Sequence, residues 1–336
     1  MLIPEKRLAE IFNNFENKNI GIIGDLMLDR YLWGNVSRIS PEAPVPIVEI
    51  DEESNRLGGA ANVANNIKSL GGNAKIYGVI GDDDDGKILF NVLKNSGFEV
   101  EGVISDKTRP TTVKTRVIAH KQHVVRVDRE NRREISHEVE TKILSILRTH
   151  ISDLDAVIIE DYNKGVVTKN LIKGIIELCN KNGVIVNVDP KYNNFFEYKN
   201  VTVFKPNRKE TEDALGMKLT NEESYRQATD RIMELLRANS IIITRGEEGM
   251  SIRMNGGEFF TIPTTARKVA DVSGAGDTVI STLTIAMAAG ATVQEAAILA
   301  NTAGGIVCGE VGIVPINKKE LYQVLLEDMN HRQRRK

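Results

Sequence analysis

Residues 271–277, Asp-Val-Ser-Gly-Ala-Gly-Asp, combine two carboxylates with a glycine pair and run directly into an apolar, helix-forming segment. Gly274 and Gly276 allow the backbone to turn tightly with its N–H groups directed into one concavity. The helix that follows adds unpaired N–H groups and the positive end of its dipole, so the segment predicts an anion site. Asp277 then has two interpretations. It caps the helix, or it is a general base that takes the proton from a hydroxyl group attacking a phosphoryl group.

Polar residues also lie where α/β proteins bind their ligands. Asp25 ends the first predicted strand, and Asp29 follows near the same carboxyl edge. Gly58, Gly59 and Asn62 lie at a predicted helix start, a pattern that suits the close approach of a polyhydroxy substrate. These five residues are predicted to bind substrate.

Two further pairs suggest how a nucleotide would be held. Asn207 and Glu210 are three residues apart in a first helical turn, where they can hold a hydrated Mg²⁺. Thr244 and Gly246 lie at another predicted strand end, available to triphosphate oxygens. The sequence contains no P-loop, no G-x-G-x-x-G after its first strand and no protein-kinase signature set. Any nucleotide chemistry must therefore use a different phosphate cradle.

The elements that must position these residues alternate between strands and helices. Such alternation, with several continuously apolar strands, predicts a doubly wound, mostly parallel α/β sheet with helices on both faces. The predicted strands are 19–25, 74–80, 154–161, 183–189, 201–204 and 240–246. The predicted helices are 59–70, 85–96, 137–150, 168–181, 207–215, 221–237, 275–289 and 293–308.

Two segments, 30–50 and 111–130, break this rhythm because they are extended and contain no helix. They are predicted to form small antiparallel strands added to the main domain as a β lid. Long surface loops are the alternative. Their many apolar residues favour the lid, because a lone small sheet buries only one face and its other face needs cover.

Composition excludes several classes of protein. The 336 residues include 44 Lys and Arg against 46 Asp and Glu, so the net charge of −2 gives no argument for a nucleic-acid partner. The charged N-terminal segment does not resemble a secretion signal, and no run of about 18 apolar residues predicts a membrane span, so a cytoplasmic location is expected. Cys179 and Cys308, within predicted helices, are expected to be buried free thiols. The basic end, 331–336, is expected to be a solvated tail.

From about residue 20 to residue 315, the chain resembles the ribokinase-like (PfkB) sugar kinases. The segment Gly-Gly-Ala-Ala-Asn at 58–62 is similar to the glycine signature near the N-terminus of that family. Residues 271–277 resemble its C-terminal D-T-x-G-A-G-D signature, with Val272 in place of threonine. The order and spacing of the two signatures make the resemblance specific.

The resemblance implies a ribokinase-like fold and a kinase that uses ATP and Mg²⁺, with direct in-line transfer to a sugar. It implies that Asp277 is the catalytic base and that the amides of Gly274, Ala275 and Gly276 form the anion hole. Nucleotide-side roles are implied for five more residues: Asn207 and Glu210 in the Mg-nucleotide motif, Thr244 and Gly246 at the phosphates, and Asn301 near the adenine. Asp271 is matched to a ligand of a monovalent cation, K⁺ in relatives.

Within the family, residues 24–50, 109–130 and 161–165 are similar to the kinases that phosphorylate the anomeric hydroxyl of D-glycero-β-D-manno-heptose 7-phosphate for ADP-heptose synthesis. Lys114 and Arg116, with Arg126, are then expected to reach the phosphate of the sugar. The resemblance also implies a homodimer formed through the lid. One ribokinase-like kinase domain is expected over residues 1–336, without the nucleotidyltransferase domain that some relatives carry.

Two other functions stay open at this point. The first is a related kinase for another sugar or sugar phosphate, because one fold serves many substrates. The second is a sugar- or nucleotide-binding regulator without catalysis, although a pure binding protein has no need for a base at Asp277.

Overall fold

The computed structural model describes residues 3–120, 122–264, 271–310 and 312–333. The predicted solvated tail falls mostly outside this range, since the side chains of 330–333 are not described and residues 334–336 lie beyond it. The strands are β1 (Asn19–Gly24), β2 (Leu26–Ile39), β3 (Pro46–Gly59), β4 (Asn73–Gly81), β5 (Val103–Asp106), β6 (Thr112–Ala119), β7 (Gln122–Arg129), β8 (Ala156–Glu160), β9 (Ile185–Asp189), β10 (Val203–Phe204), β11 (Ser240–Thr244), β12 (Met250–Met254) and β13 (Phe259–Ile262). The helices are α1 (Glu5–Asn13), α2 (Ala60–Ser69), α3 (Asp84–Asn95), α4 (His137–His150), α5 (Lys169–Asn182), α6 (Arg208–Leu215), α7 (Glu222–Leu236), α8 (Ala275–Ala288), α9 (Val293–Val307) and α10 (Lys318–Gln333).

The main sheet has nine strands within the described ranges, in the order β13-β12-β11-β10-β9-β8-β1-β4-β5. Neighbours from β5 to β11 pair in parallel, and β12 and β13 are added antiparallel at one edge. The strand order reverses at β1, which lies between β8 and β4. A crevice opens at such a switch point beyond the carboxyl ends of the strands, so the residues that follow β1 and β8 are brought together there.

Two apolar cores hold this sheet between layers of helices. Alternate residues of β8 contribute to opposite cores, Ala156 and Ile158 to one and Val157 and Ile159 to the other. The first core includes residues of α1, α2, α3, α8, α9 and α10, and the second includes residues of α4, α5 and α7. Each fully buried isoleucine contributes about 1.5–3 kcal/mol. Because helices cover both faces of the sheet, its central strands consist almost entirely of apolar residues. The predicted doubly wound sheet is confirmed.

A separate four-stranded sheet forms the lid, in the order β3-β2-β6-β7. The lid prediction is confirmed with two corrections. Its central strands, β2 and β6, pair in parallel rather than antiparallel. It also extends to Gly59, because β3 continues through the charged residues 51–57 by backbone pairing with β2. That polar stretch has no apolar alternation from which a strand would be predicted, and Asp29, predicted at the edge of the main sheet, lies within the lid.

Other differences from the predicted elements are local. Helices α1 and α10 and the short strands β5, β12 and β13 were not predicted from the sequence. Cys179 is buried as expected, whereas Cys308 follows the last residue of α9 and is only half-buried. Among the described residues, no helix has the length and apolar character that crossing a membrane requires.

Candidate active site

Asp277 lies in the first turn of α8, and Gly274 precedes the first residue of this helix. Gly274 has a φ of 79°, and a Cβ atom there would lie 3.2 Å from Asn62 Nδ2. A side chain is therefore disfavoured at this turn by conformation and by space. The glycine-rich turn leads directly into a helix N-terminus, the arrangement from which an anion site was predicted.

Two side chains from distant segments donate hydrogen bonds to the Asp277 carboxylate. Asn62 Nδ2 lies 2.6 Å from Oδ2, and the Tyr162 hydroxyl lies 2.6 Å from Oδ1. Within the described residues, no side chain caps the start of α8. The interpretation of Asp277 as a helix cap is therefore wrong, because its carboxylate faces α2 and the loop after β8 instead of its own helix.

The surroundings of Asp277 raise the pKa of its carboxyl group toward neutral pH. The residue is 3% exposed. Burial raises its pKa to about 6, the hydrogen bonds from Tyr162 and Asn62 act in the opposite direction, and the charge of Asp189 adds to the rise. A carboxylate with this pKa is ionised at pH 7 and close to the range in which a general base is most effective.

Gly58 and Gly59, at the end of β3, allow Asp29 and Asp25 to pack closely against the backbone. A Cβ atom at Gly58 would lie 2.4 Å from Asp29 Oδ2, and one at Gly59 would lie 2.4 Å from the carbonyl oxygen of Asp25. Gly59 also has a φ of 57°. Close approach was predicted, but the groups that approach in the structure belong to the protein. The same turn places Asn62 in the first turn of α2, facing α8.

Asp25 follows β1 and holds the loop after β8. Its Oδ2 accepts hydrogen bonds from the backbone N–H groups of Tyr162 at 2.8 Å and Lys164 at 3.1 Å, and its Oδ1 accepts one from Val166 at 3.1 Å. Asp25 is 1% exposed. Burial, and then the charge of Asp161, raises its pKa to about 6. The prediction that Asp25 binds substrate is corrected: its oxygens are occupied by backbone donors, so it positions Tyr162.

Asp29 and Arg116 form a buried ion pair between β2 and β6. Arg116 Nη1 lies 2.6 Å from Asp29 Oδ1, and the two residues are 7% and 2% exposed. The guanidinium also lies over the Tyr31 ring, 5.2 Å from its centre. The prediction that Arg116 binds the sugar phosphate is corrected, because its charge is neutralised by Asp29 within the lid. Breaking such a buried pair leaves an uncompensated charge.

Lys114 lies next to this pair on the same face of the lid, facing the site. Its ammonium nitrogen is 5.3 Å from the centre of the Tyr162 ring. Among the described residues, no acid lies within ion-pair distance of it. Burial lowers its pKa, as expected for a cation that lacks a direct partner. Lys114 is therefore suited to an anionic ligand.

Four charged residues that were not predicted, Glu160, Asp189, Lys191 and Lys205, lie near Asp277. Asp189 ends β9 and pairs at 2.8 Å with Lys205, which is 2% exposed. Lys191 pairs with Glu210. Glu160 ends β8 with neither carboxylate oxygen hydrogen-bonded in the described part of the chain. Burial, and then the charges of Asp189 and Asp277, raises the pKa of Glu160 well above its usual range.

A signal for these residues was present in the sequence. Glu160 is the last but one residue of the predicted strand 154–161, Asp189 ends the strand 183–189, and Lys205 directly follows the strand 201–204. Among residues at strand ends, only Asp25, Asp29, Thr244 and Gly246 were assigned to the site from the sequence. Tyr162 directly follows the predicted strand 154–161 and carries the same signal, but its contact with a partner 115 residues away is not visible in the sequence.

Asn207 and Glu210 form a capping box at the start of α6. Asn207 Oδ1 accepts a hydrogen bond from the Glu210 N–H at 2.8 Å, and Glu210 Oε2 accepts one from the Asn207 N–H at 2.8 Å. Glu210 Oε1 contacts Lys191. The N-x-x-E spacing is itself a capping signature. The predicted Mg²⁺ pair thus has a structural role, and Glu210 suits a metal only through water.

A cleft of about 1020 Å³ joins most of the predicted nucleotide-side residues to Asp277. Its lining includes Tyr162, Asp189, Lys191, Lys205, Asn207, Thr244, Gly246, Gly274, Ala275, Gly276, Asp277 and Asn301. The predicted substrate residues, Asp25, Asp29, Gly58, Gly59, Asn62, Lys114 and Arg116, lie on the lid side and do not line it. The nucleotide side and the lid side of the site therefore meet at Asp277 and Tyr162.

Three of the residues that line the cleft have defined local surroundings. Thr244 ends β11, and its N–H donates to the carbonyl of Pro206 at 3.1 Å. Gly246 has a φ of 63° with open space where a Cβ would lie. Asn301 Nδ2 donates to the carbonyl oxygen of Pro263 at 2.9 Å.

Asp271 is held by backbone donors on both sides. Its Oδ1 accepts from the Ser273 N–H at 2.9 Å, and its Oδ2 accepts from the Gly312 N–H at 3.0 Å. Although burial opposes ionisation, these donors keep its pKa below the usual range. Among the described residues, no group of three or more His, Cys, Asp or Glu side chains forms a metal cluster.

Comparison with known proteins is consistent with this geometry. A profile of the family described as pfkB family carbohydrate kinase matches residues 17–319. The bifunctional protein HldE of Geobacter sulfurreducens is 42% identical over 319 residues, which are 95% of this chain and 65% of that protein. The chain therefore spans about two thirds of the length of this relative.

Solved structures agree in fold. A putative ribokinase from Agrobacterium tumefaciens superposes with a TM-score of 0.76 at 18% identity, covering 93% of this chain and 99% of that one. The ribokinase of Arabidopsis thaliana in complex with ribose and ATP has a TM-score of 0.70 at 18% identity, covering 92% of this chain and 98% of that one. At this level of identity the two structures establish the shared fold.

Replacing Asp25 tests its assignment as a positioning residue. Asp25→Ala leaves three backbone N–H groups without their acceptor, and each unpaired buried donor costs about 1–3 kcal/mol. We expect the free energy of unfolding in urea to fall by at least ~2 kcal/mol. The matched control is Asp84→Ala at an exposed position of α3, expected to change it by less than ~0.5 kcal/mol. Equal effects of the two substitutions would contradict the assignment.

Proposed function

The chain belongs to the pfkB family of carbohydrate kinases, since the family profile matches residues 17–319, and on that premise we propose that it transfers the γ-phosphoryl group of ATP to the anomeric hydroxyl of D-glycero-β-D-manno-heptose 7-phosphate. The observation that carries the proposal is the position of Asp277, a buried carboxylate at a glycine-rich helix N-terminus on the wall of the cleft. The described residues act as one kinase domain with the lid inserted, in the cytoplasm and within ADP-heptose synthesis.

Asp277 is the proposed general base. It takes the proton of the sugar hydroxyl while the hydroxyl oxygen forms a bond to the γ-phosphorus and the bond from that phosphorus to the β–γ bridging oxygen breaks. ADP leaves with the electron pair of that bond. The backbone amides of Gly274, Ala275 and Gly276, at the positive end of α8, stabilise the charge on the transferring group. No phosphoenzyme forms.

The nucleotide is proposed to lie in the cleft, with Thr244 and Gly246 at the phosphates and Asn301 near the adenine. Lys191 and Lys205 lie on the same wall, paired with Glu210 and Asp189. Mg²⁺, when bound, would supply positive charge that neutralises the phosphate oxygens. Glu210 would hold it through water, with Asn207 keeping the helix start in place. Asp271 is proposed to ligate K⁺.

The choice of sugar rests on the resemblance of the lid segments to heptose 7-phosphate kinases. Lys114 supports it, because this cation faces the site without an ion-pair partner among the described residues and is suited to the phosphate of the sugar. Arg126 does not add to this charge, since it pairs at 2.9 Å with Asp128. Asp29, held by Arg116, is proposed to accept hydrogen bonds from sugar hydroxyls.

The substrate assignment is tested by ADP release over a panel of acceptors. The panel contains the heptose 7-phosphate, the same heptose without its phosphate, ribose and fructose 6-phosphate. We expect the highest kcat/KM for the heptose 7-phosphate and at least a ~10-fold loss without its phosphate. Preference for another acceptor would replace the sugar assignment, and no turnover with any acceptor would favour a binding regulator.

The role of the base is tested by Asp277→Asn. We expect kcat to fall by at least ~10²-fold, the scale of lost general-base catalysis, with nucleotide affinity retained. The matched control is Asp230→Asn on α7, where the aspartate pairs with Arg253 on the surface and the change is expected to leave kcat unaltered. Near-normal turnover of Asp277→Asn would exclude this carboxylate as the base.

The Mg²⁺ assignment is tested by Glu210→Gln. Glutamine at this position can keep the capping box, so the start of α6 should persist while the negative charge is lost. We expect the Mg²⁺ concentration for half-maximal rate to rise more than the KM for the sugar. Glu223→Gln, in the first turn of α7, is the control. A change confined to the sugar KM would show that Glu210 does not serve the metal.

A homodimer through the lid is proposed because the lid has two unlike faces. Leu32 pairs with Val117, and Val117 with Val125, so these three residues share one face. Val127 and Ile50 lie on the same face by register. Val125, Val127 and Ile50 are 48%, 56% and 46% exposed. An apolar sheet face of this kind is unusual in a monomer, and a second lid of the same kind would cover it.

The dimer is tested by Val127→Asp, which places a charge on this face in the edge strand β7. Sedimentation velocity at micromolar concentration should show a dimer for the unmodified protein and a shift to monomer for the variant. Leu235→Asp, at an exposed apolar residue of α7, is the control that should remain dimeric. An active monomer of the unmodified protein would contradict the proposal.

A further inference from the structure

Tyr162 lies where both sides of the site meet. Its hydroxyl is 2.6 Å from Asp277 Oδ1. Two ammonium groups lie over its ring, Lys114 Nζ of the lid and Lys191 Nζ of the nucleotide side, each 5.3 Å from the ring centre. A single side chain therefore contacts the base, the lid and the nucleotide wall.

The position of Tyr162 is set by groups buried beneath it. Its backbone N–H donates to Asp25 Oδ2 at 2.8 Å. The preceding residue, Asp161, accepts hydrogen bonds from the Asn163 N–H at 2.8 Å and from the Tyr198 hydroxyl at 2.7 Å. The loop is therefore anchored on both sides of the tyrosine, and the phenol is held against the base without any ligand.

This contact occupies the base. The second oxygen of Asp277 accepts from Asn62 Nδ2 at 2.6 Å, so each carboxylate oxygen already has a donor. Burial, and then the charge of Asp277, raises the pKa of Tyr162 well above its usual range. The phenol therefore keeps its proton and acts toward this carboxylate only as a donor.

We propose that Tyr162 withholds the Asp277 base from water until the acceptor hydroxyl of the sugar displaces the phenol. Tyr162 would then be a specificity-determining residue that separates transfer to sugar from hydrolysis of ATP. The inference rests on the proposed role of Asp277 and extends it to the discrimination between two hydroxyl compounds.

Sugar phosphate and water differ in the other contacts that each can make with the site when it displaces the phenol. Displacing the phenol breaks a hydrogen bond to a charged carboxylate, one of the stronger hydrogen bonds in proteins. A sugar phosphate offsets this loss through its other hydroxyls and through its phosphate at Lys114, the cation that lies over the same ring. A water molecule has no other groups that bind the site, so no further contact offsets the loss of the hydrogen bond from the phenol. Binding energy from remote parts of the substrate is used in this way to organise the reacting centre.

The side reaction that Tyr162 suppresses is ATP hydrolysis. A water oxygen would form a bond to the γ-phosphorus, its proton would pass to Asp277, and the bond from that phosphorus to the bridging oxygen would break to release ADP. The products are ADP and inorganic phosphate. Hydrolysis and transfer to sugar need the same base and the same nucleotide. The ratio of their rates therefore depends only on which acceptor reacts, water or sugar.

The test compares Tyr162→Phe with Tyr198→Phe. Both substitutions remove one hydroxyl from a buried carboxylate, but that of Tyr198 is bound to Asp161 and not to Asp277. Inorganic phosphate and phosphorylated sugar are measured in one sample that contains ATP, Mg²⁺ and the best acceptor of the panel. We expect Tyr162→Phe to raise the ratio of hydrolysis to transfer by ~10-fold or more and Tyr198→Phe to leave it unchanged. Misfolded protein lowers both products equally, so partial unfolding does not alter the ratio.

A pH profile provides a readout that a merely structural role would not move. The base is active when ionised, so the rate of transfer is lost as the pH falls through about 6. The phenol lowers the pKa of Asp277 by its hydrogen bond, so its removal should move this acidic limb to higher pH. Tyr198→Phe should not move it.

The outcomes separate this inference from the proposed function. An unchanged ratio and an unchanged acidic limb in Tyr162→Phe, with transfer intact, would overturn the role of Tyr162 and leave the kinase assignment standing. Absence of transfer by the unmodified protein would overturn the proposed function itself. In the Tyr162→Phe background, Asp277→Asn should abolish the added hydrolysis, and hydrolysis that persists would show that the water does not use this base.

Discussion

An ionised carboxylate that is 3% exposed, as Asp277 is, is costly to bury unless donors surround it. The chain meets this requirement with Asn62, 215 residues away in sequence, and Tyr162, 115 residues away. Asn62 comes from α2, which follows β3, and Tyr162 comes from the loop after β8. Because both must reach the N-terminus of α8, three separate segments of the fold are held to one point.

A second layer of buried acids supports the first. Asp25 accepts backbone donors from the loop after β8. Asp161, within that loop, accepts from the Asn163 N–H and from the hydroxyl of Tyr198, which follows β9. Neither acid lines the cleft. Their placement follows from the topology, since β1 and β8 are neighbours at the point where the strand order reverses. The acids closest to the chemistry are therefore positioned by acids whose role is structural.

The lid shows how one strand pattern serves two purposes. Successive residues of β6 point to opposite faces, so Lys114 and Arg116 face the site while Val117 lies on the outer, apolar face. The inner face carries charges paired within the protein, except for Lys114 among the described residues. Closure over a sugar and association with a second subunit would therefore engage opposite sides of the same sheet.

The sequence by itself determined the alternation of strands and helices, the two glycine turns and the place of Asp277, because apolar periodicity and the need for glycine at a positive φ are local properties. Its assignments were wrong or incomplete where a side chain finds its partner far along the chain. Asp25 was assigned to substrate but binds backbone N–H groups of the loop after β8, and Arg116 was assigned to phosphate but is neutralised by Asp29. Tyr162 was not identified at all. Which polar groups are left free for a ligand is decided only when the tertiary structure brings donors and acceptors together, because each buried one must be paired.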